Sequence, residues 1–210
     1  MTDSDGKDRI PAPGGTGVGF DDAYLGTPPW DIGRPQPALL ELADRGLFRG
    51  HVLDVGCGTG EHALLAAERG LPASGIDLSP RAIDLAKNKA AARNLAVEFR
   101  IWDALDLGAL GVQFDTVIDS GLYHVFDDEQ RESYVASLGA TTAVGGRLLL
   151  MCFSDRMPGD WGPRRVTRDE LEASFAANWS VESIEEAHLS VNIAPEGAIA
   201  WRGVMRRTTS

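Results

Sequence analysis

His51-Val52-Leu53-Asp54-Val55-Gly56-Cys57-Gly58-Thr59-Gly60-Glu61-His62 joins a short apolar run, broken by one acid, to a glycine turn that opens into the helix-like segment Ala63 to Arg69. That order predicts strand, tight turn and helix, the unit at which open α/β sheets bind nucleotide-like ligands beyond the carboxyl ends of their strands. Gly56, Gly58 and Gly60 can take positive φ and let a ligand come close to the backbone. The first N–H groups of the helix add donors and partial positive charge. Asp77 lies about 20 residues past the turn, where a strand-end acid accepts hydrogen bonds from ribose hydroxyls.

The glycines follow Gly-x-Gly-x-Gly, one residue tighter than the dinucleotide fingerprint, which disfavours a dinucleotide-dependent oxidoreductase. The block Leu53 to Gly60 resembles the first motif of class I S-adenosylmethionine-dependent methyltransferases. The resemblance implies an α/β, Rossmann-like class I methyltransferase fold: a seven-stranded, mostly parallel sheet in the order 3-2-1-4-5-7-6, with helices on both faces. It implies S-adenosyl-L-methionine as cofactor and S-adenosyl-L-homocysteine as its product. Cofactor contacts are then expected from Asp54, Gly56, Cys57, Gly58 and Gly60 in the turn, and from Asp77 and Leu78 at the ribose. Asp103 is expected to accept from the adenine amino group and Ala104 to donate to the ring, while Trp102 either stacks on the adenine or packs under the sheet. Asp119 and Ser120 are expected beside the methionine moiety. Enzymes that methylate amino groups of DNA usually show Asn/Asp-Pro-Pro-Tyr/Phe at this point, and Asp119-Ser120-Gly121-Leu122 argues against that substrate.

Upstream, Pro29-Trp30-Asp31-Ile32-Gly33-Arg34-Pro35-Gln36-Pro37 resembles the N-terminal signature of the thiopurine and halide/thiol methyltransferases. There the segment closes over the cofactor and shapes the acceptor pocket, which implies a lid with Tyr24 and Trp30 as apolar wall and Trp30 also against the cofactor. An arm that only covers a sheet edge is the alternative. Together with Met151–Ser154 and Trp161-Gly162-Pro163-Arg164-Arg165, the lid resembles actinobacterial heterocyclic-toxin methyltransferases. The acceptor implied is a hydroxyquinolone-type aromatic heterocycle, bound among Tyr24, Trp30, His124, Phe153 and Trp161.

The rest of the chain punctuates itself. Pro37–Arg45 has helical periodicity and stops at Gly46, and Ser79-Pro80 caps a helix that turns Ile83, Leu85 and Ala86 inward. Further strands are expected at Pro72–Asp77, Ala96–Ile101, Val112–Asp119 and Arg147–Phe153. A helix led by Asp127-Asp128-Glu129 and a capping box at Thr167–Glu170 follow. Trp179–Ile193 and Ala198–Arg206 read as an antiparallel pair turning at Pro195-Glu196-Gly197. Residues 1–19 read as a disordered tail and 20–210 as one domain, with lid and helix at 20–46 and core at 47–210.

With 210 residues, 43% of them hydrophobic and 24% charged, the chain suits a single globular domain. No run is apolar enough to cross a membrane and the N-terminus has no secretory h-region, so a cytoplasmic protein without a membrane partner is expected. A net charge of −11 argues against nucleic acid, and Arg156, Arg164, Arg165 and Arg168 read as a solvated loop. Cys57 and Cys152 show no metal spacing, so no metal is expected. The expected partner is a small-molecule acceptor methylated on oxygen, nitrogen or sulfur, with thiol, halide and thiopurine acceptors still open. An acidic acceptor would lose its proton to His124, to Asp31 or to water. A non-catalytic S-adenosylmethionine-binding protein and a protein methyltransferase are the remaining alternatives.

Overall fold

Val52–Val55, β1, is buried along its whole length and pairs in parallel with a strand on each side, as befits a central strand covered on both faces. The structure, a computed structural model, describes residues 18–159 and 161–209. The tail expected at 1–19 falls outside the described residues up to residue 17, and Val18–Ala23 form a short helix, α1. After it come α2 (Pro37–Asp44), β1, α3 (Glu61–Glu68), β2 (Ala73–Asp77), α4 (Pro80–Ala92) and β3 (Glu98–Ile101). A 3-10 turn at Ala104–Leu110 replaces a helix before β4 (Phe114–Ser120), and a shorter one at Tyr123–Val125 follows it. Then come α5 (Asp128–Thr141), β5 (Thr142–Phe153), α6 (Arg168–Ser174), β6 (Trp179–Val191) and β7 (Ala194–Arg207).

The seven strands form one sheet in the order β3-β2-β1-β4-β5-β7-β6, with only β7 antiparallel to its neighbours. Alternation along the strands sorts side chains between two layers. Val52, Ile118 and Leu149 pack on one face with Leu39 of α2, Leu64 of α3 and Ile83 of α4. Leu53, Val117 and Leu148 pack on the other with Tyr134 and Leu138 of α5. Side-chain caps set the helix starts: Ser79 accepts from the Ala82 N–H at 3.1 Å, and Asp127 with Gln130 and Thr167 with Glu170 close capping boxes.

Three local expectations are corrected. Leu85 is 39% exposed, because the inward stripe of α4 runs through Ala82, Ile83, Ala86 and Ala90. The terminal hairpin turns at Asn192–Ile193, and Pro195-Glu196-Gly197 forms a bulge inside β7. Gly197 has φ 71° and a Cβ there would lie 2.8 Å from the Leu189 carbonyl oxygen, the close approach that a bulge glycine serves. β5 begins at Thr142, ahead of the expected Arg147, because a shift in its pairing with β4 takes up Gly145 and Gly146.

Candidate active site

The parallel register brings the ends of β1, β2, β4 and β5 to one edge, where a cavity of about 600 Å³ opens above the glycine turn. Gly56, Gly58 and Gly60 take φ of 63°, 52° and 85°, so all three use the left-handed region. The turn is tied to β2: the Cys57 N–H donates to the Ile76 carbonyl and the Gly58 N–H to Asp77 Oδ2, each at 2.8 Å. Asp77 Oδ1 accepts from the Ser79 N–H at 2.8 Å. Burial pushes the Asp77 carboxyl up, against those backbone donors. Each oxygen retains an accepting lone pair, and no cation pairs with Asp77 among the described residues. A half-satisfied carboxylate at a cavity wall suits neutral hydroxyl donors.

Leu78, Trp102, Asp103 and Ala104 continue that wall. Asp103 Oδ1 caps its own turn by accepting from the Leu105 N–H at 2.9 Å. Trp102 packs against the buried cluster and also lines the cavity, its Nε1–H held by the Asp106 carbonyl at 2.9 Å. Two acids, an indole and a glycine cradle in this order fit a purine nucleoside. Gly56, Cys57 and Ser120 complete the set of expected cofactor residues on the lining.

Asp54, Gly60 and Asp119 do not line the cavity, and Trp161 stands behind Phe153 at a ring distance of 5.6 Å. Strand parity explains the two acids. Asp54 shares the face of Val52, beneath α3, where its Oδ2 accepts from the Ala63 N–H at 3.2 Å. Asp119 points to the α5 side and accepts from the Leu122 and Tyr123 N–H groups and the Tyr134 hydroxyl at 2.7, 3.0 and 2.9 Å. Gly60 serves packing between α3, α4 and β3. All three therefore shape the site from behind.

Burial pushes the Asp54 carboxyl up to about 8 and holds His62, whose Nδ1 is 3.8 Å from Asp54 Oδ1, down to about 4. Folded Asp54 keeps a proton that the unfolded chain has lost above pH ~4, so its contribution to stability falls as pH rises towards about 8. His62 acts oppositely: the unfolded ring takes a proton below pH ~6.5 and the folded ring does so only near 4, so its contribution falls on acidification. The two oppose each other up to pH ~6.5, and above it Asp54 acts without His62. The cofactor-free protein should lose about 1–2 kcal/mol between pH ~6.5 and ~8, and Asp54→Asn should remove that slope. Urea denaturation at stepped pH checks this; an equal slope in the variant would place the titration elsewhere.

The arm of residues 20–36 covers the cavity. Asp21 accepts from Ser79 Oγ at 2.6 Å and the Arg81 N–H at 3.1 Å, and also pairs with the Arg81 guanidinium. Asp31 Oδ1 accepts from Thr59 Oγ1 at 3.0 Å, and the Asn192 N–H donates to the Pro29 carbonyl at 2.8 Å. Between these ties Trp30 donates to the Tyr24 hydroxyl at 3.0 Å and meets Phe20 edge-on at 5.8 Å. Because the ties do not pass through the Trp30 ring, Trp30→Ala should lower turnover about tenfold by loosening the cover, with little change in Tm. Normal turnover with a large drop in Tm would make the arm an edge cover instead.

His124, Phe153, Tyr24 and Trp30 also line the cavity, together with Phe126, Pro163, Leu189 and Val191, which sequence reasoning missed. Leu189 and Val191 come from the far edge strand, tied to the arm where the Gln36 amide exchanges hydrogen bonds with the Ser190 backbone at 3.0 and 2.8 Å. Their i, i+2 spacing put them on one face of β6 but did not say which. The base role considered for His124 does not suit the geometry. His124 Nδ1 already accepts from the Phe153 N–H at 2.9 Å, and burial, then Arg165 and Arg131, hold the ring down to about 3. Asp31 lines the cavity, its Oδ1 held by the Thr59 hydroxyl and, at 3.2 Å, by the Gly33 N–H.

The methyltransferase domain family matches residues 52–146. A 2-heptyl-1-hydroxyquinolin-4(1H)-one methyltransferase from Mycobacteroides abscessus is 40% identical over 168 residues, 79% of this chain and 74% of that protein. A probable thiol methyltransferase 2 from Arabidopsis thaliana is 25% identical over 155 residues, covering 70% and 66% of the two chains. A structure from a study of the conversion of a disulfide bond into a thioacetal group during echinomycin biosynthesis has a TM-score of 0.83 and 38% identity, covering 92% of this chain and 93% of that one.

Proposed function

The chain belongs to the S-adenosylmethionine-dependent methyltransferases, and on that premise we propose that its acceptor is a small planar heteroaromatic with an acidic oxygen, of the 1-hydroxyquinolin-4-one kind. The observation that carries this reading is the 40% identity, over 79% of the chain, to a methyltransferase for such a compound. S-adenosylmethionine is the cofactor, and it supplies a methyl group already activated on a sulfonium. Asp77 would hold the ribose hydroxyls, and Asp103 and Ala104 the edge of the adenine, beside Trp102. The task of the remaining residues is alignment and exclusion of water. Phe153, Phe126, Leu189 and Val191 offer apolar surface to a flat ring, and the arm closes above it. Arg34 is the only Lys or Arg on the described lining, too little positive charge for a phosphate backbone, so nucleic acid is not proposed as acceptor.

A sulfur acceptor is the second reading, favoured by the 38% identity to the structure from the thioacetal study. Mass spectrometry of a panel incubated with enzyme and S-adenosylmethionine separates the two. Methylated 1-hydroxyquinolones with inert aryl thiols support the oxygen acceptor. Methylated thiols with inert hydroxyquinolones replace it with sulfur.

A further inference from the structure

Resting on the oxygen-acceptor reading, we propose that His124 is a hydrogen-bond donor that seats the acceptor oxygen, and that the acceptor arrives already ionised. His124 lies in the short turn after β4, 6% exposed, with its ring edge-on to Phe153 at 5.1 Å. Its Nδ1 accepts the Phe153 N–H at 2.9 Å, where β5 ends. A neutral imidazole whose Nδ1 accepts must carry its hydrogen on Nε2. Among the described residues nothing pairs with Nε2, and the ring lines the cavity. Gly121, at φ 95°, keeps the approach open: a Cβ there would lie 3.5 Å from His124 Cε1 and 3.6 Å from Nε2.

The surroundings oppose protonation of this ring. Burial weighs most, and the Arg165 and Arg131 guanidiniums add to it. The Asp119 carboxylate behind the turn is committed to Leu122, Tyr123 and Tyr134. A ring so placed does not take a proton from the acceptor at neutral pH, but its fixed N–H can bind an oxyanion. The acceptor's proton therefore goes to water before the acceptor is seated. An oxygen lone pair then forms the new O–C bond as the C–S bond breaks, and the bonding pair stays on sulfur. The negative oxygen and positive sulfur neutralise one another, so no proton is left for the protein to remove. The acceptors admitted are N-hydroxy heteroaromatics and acidic phenols, which ionise near neutral pH. Ordinary alcohols are refused.

The test is steady-state methylation by wild type, His124→Asn and His124→Gln, over about pH 5 to 10, of two acceptors whose own pKa values differ by about 2 units. Asparagine can offer Oδ1 to the Phe153 N–H but is too short to place a donor where Nε2 stood, whereas glutamine reaches that point. The acid limb of kcat/KM should move with the acceptor's pKa and persist in His124→Asn. The KM of that variant should rise about tenfold or more at every pH, and glutamine should recover part of the loss. A limb that ignores the acceptor and vanishes in His124→Asn would make His124 a base and overturn the proposal. An unchanged KM in His124→Asn would overturn it as well. A wild-type protein that methylates thiols and no oxygen acceptor would overturn the acceptor reading, and the proposal with it, before any variant is made.

Discussion

Gly60→Val should destabilise the protein by about 4 kcal/mol, from left-handed strain of about 1–2 kcal/mol and overpacking of about 1–3 kcal/mol. The glycine sits at φ 85°, and a Cβ would lie 2.6 Å from Phe99 Cζ and 3.0 Å from the Ala86 methyl. Phe99 is 5% exposed and Ala86 fully buried, so neither neighbour can swing into solvent. Gly70→Val separates the two contributions, because Gly70 has φ 78° and a Cβ added there would meet nothing within 4 Å. That control should show the strain alone. Denaturant titration of both variants measures the difference; equal losses would mean that Phe99 and α4 yield freely and the packing account is wrong.

Asp77→Ala should weaken S-adenosylhomocysteine binding about 100-fold, ~3 kcal/mol, through lost hydrogen bonds to a charged acceptor. Two effects combine. The ribose hydroxyls lose their carboxylate, and the Gly58 and Ser79 N–H groups lose the acceptor that holds the turn against β2. Asp77→Asn should fall between the two, because its amide accepts through one oxygen only. Calorimetric titration decides: an unchanged Kd in Asp77→Ala would sink the ribose assignment, and a collapse in Tm with normal affinity would reduce Asp77 to a turn anchor.

The fold was legible because its signals are local. A short apolar run interrupted only by Asp54, three glycines and a following helix specify β1 and α3, and Ser79-Pro80, Asp127 and Thr167 mark helix starts through hydrogen bonds that span three residues. The cavity wall above the glycine turn was legible for the same reason, since Gly56, Gly58, Asp77 and Asp103 stand at strand ends that the parallel register gathers to one edge. The bulge at Pro195–Gly197 was misread as a turn because proline and glycine serve both, and only pairing with β6 distinguishes them.

By itself, then, the sequence determined the sheet, the glycine cradle and the acids at the strand ends that line the cavity, all through short-range patterns of backbone geometry and hydrophobic period. Tertiary structure alone decided which side of the sheet each strand residue faces. Parity within β1 and β4 sends Asp54 under α3 and Asp119 towards α5, although both stand in the expected motifs. It also decided the state of His124, whose tautomer follows from the Phe153 amide 29 positions away, and the entry of Leu189 and Val191 into the cavity wall. Such contacts join segments far apart in the chain, and their energies depend on burial and direction that no local pattern encodes.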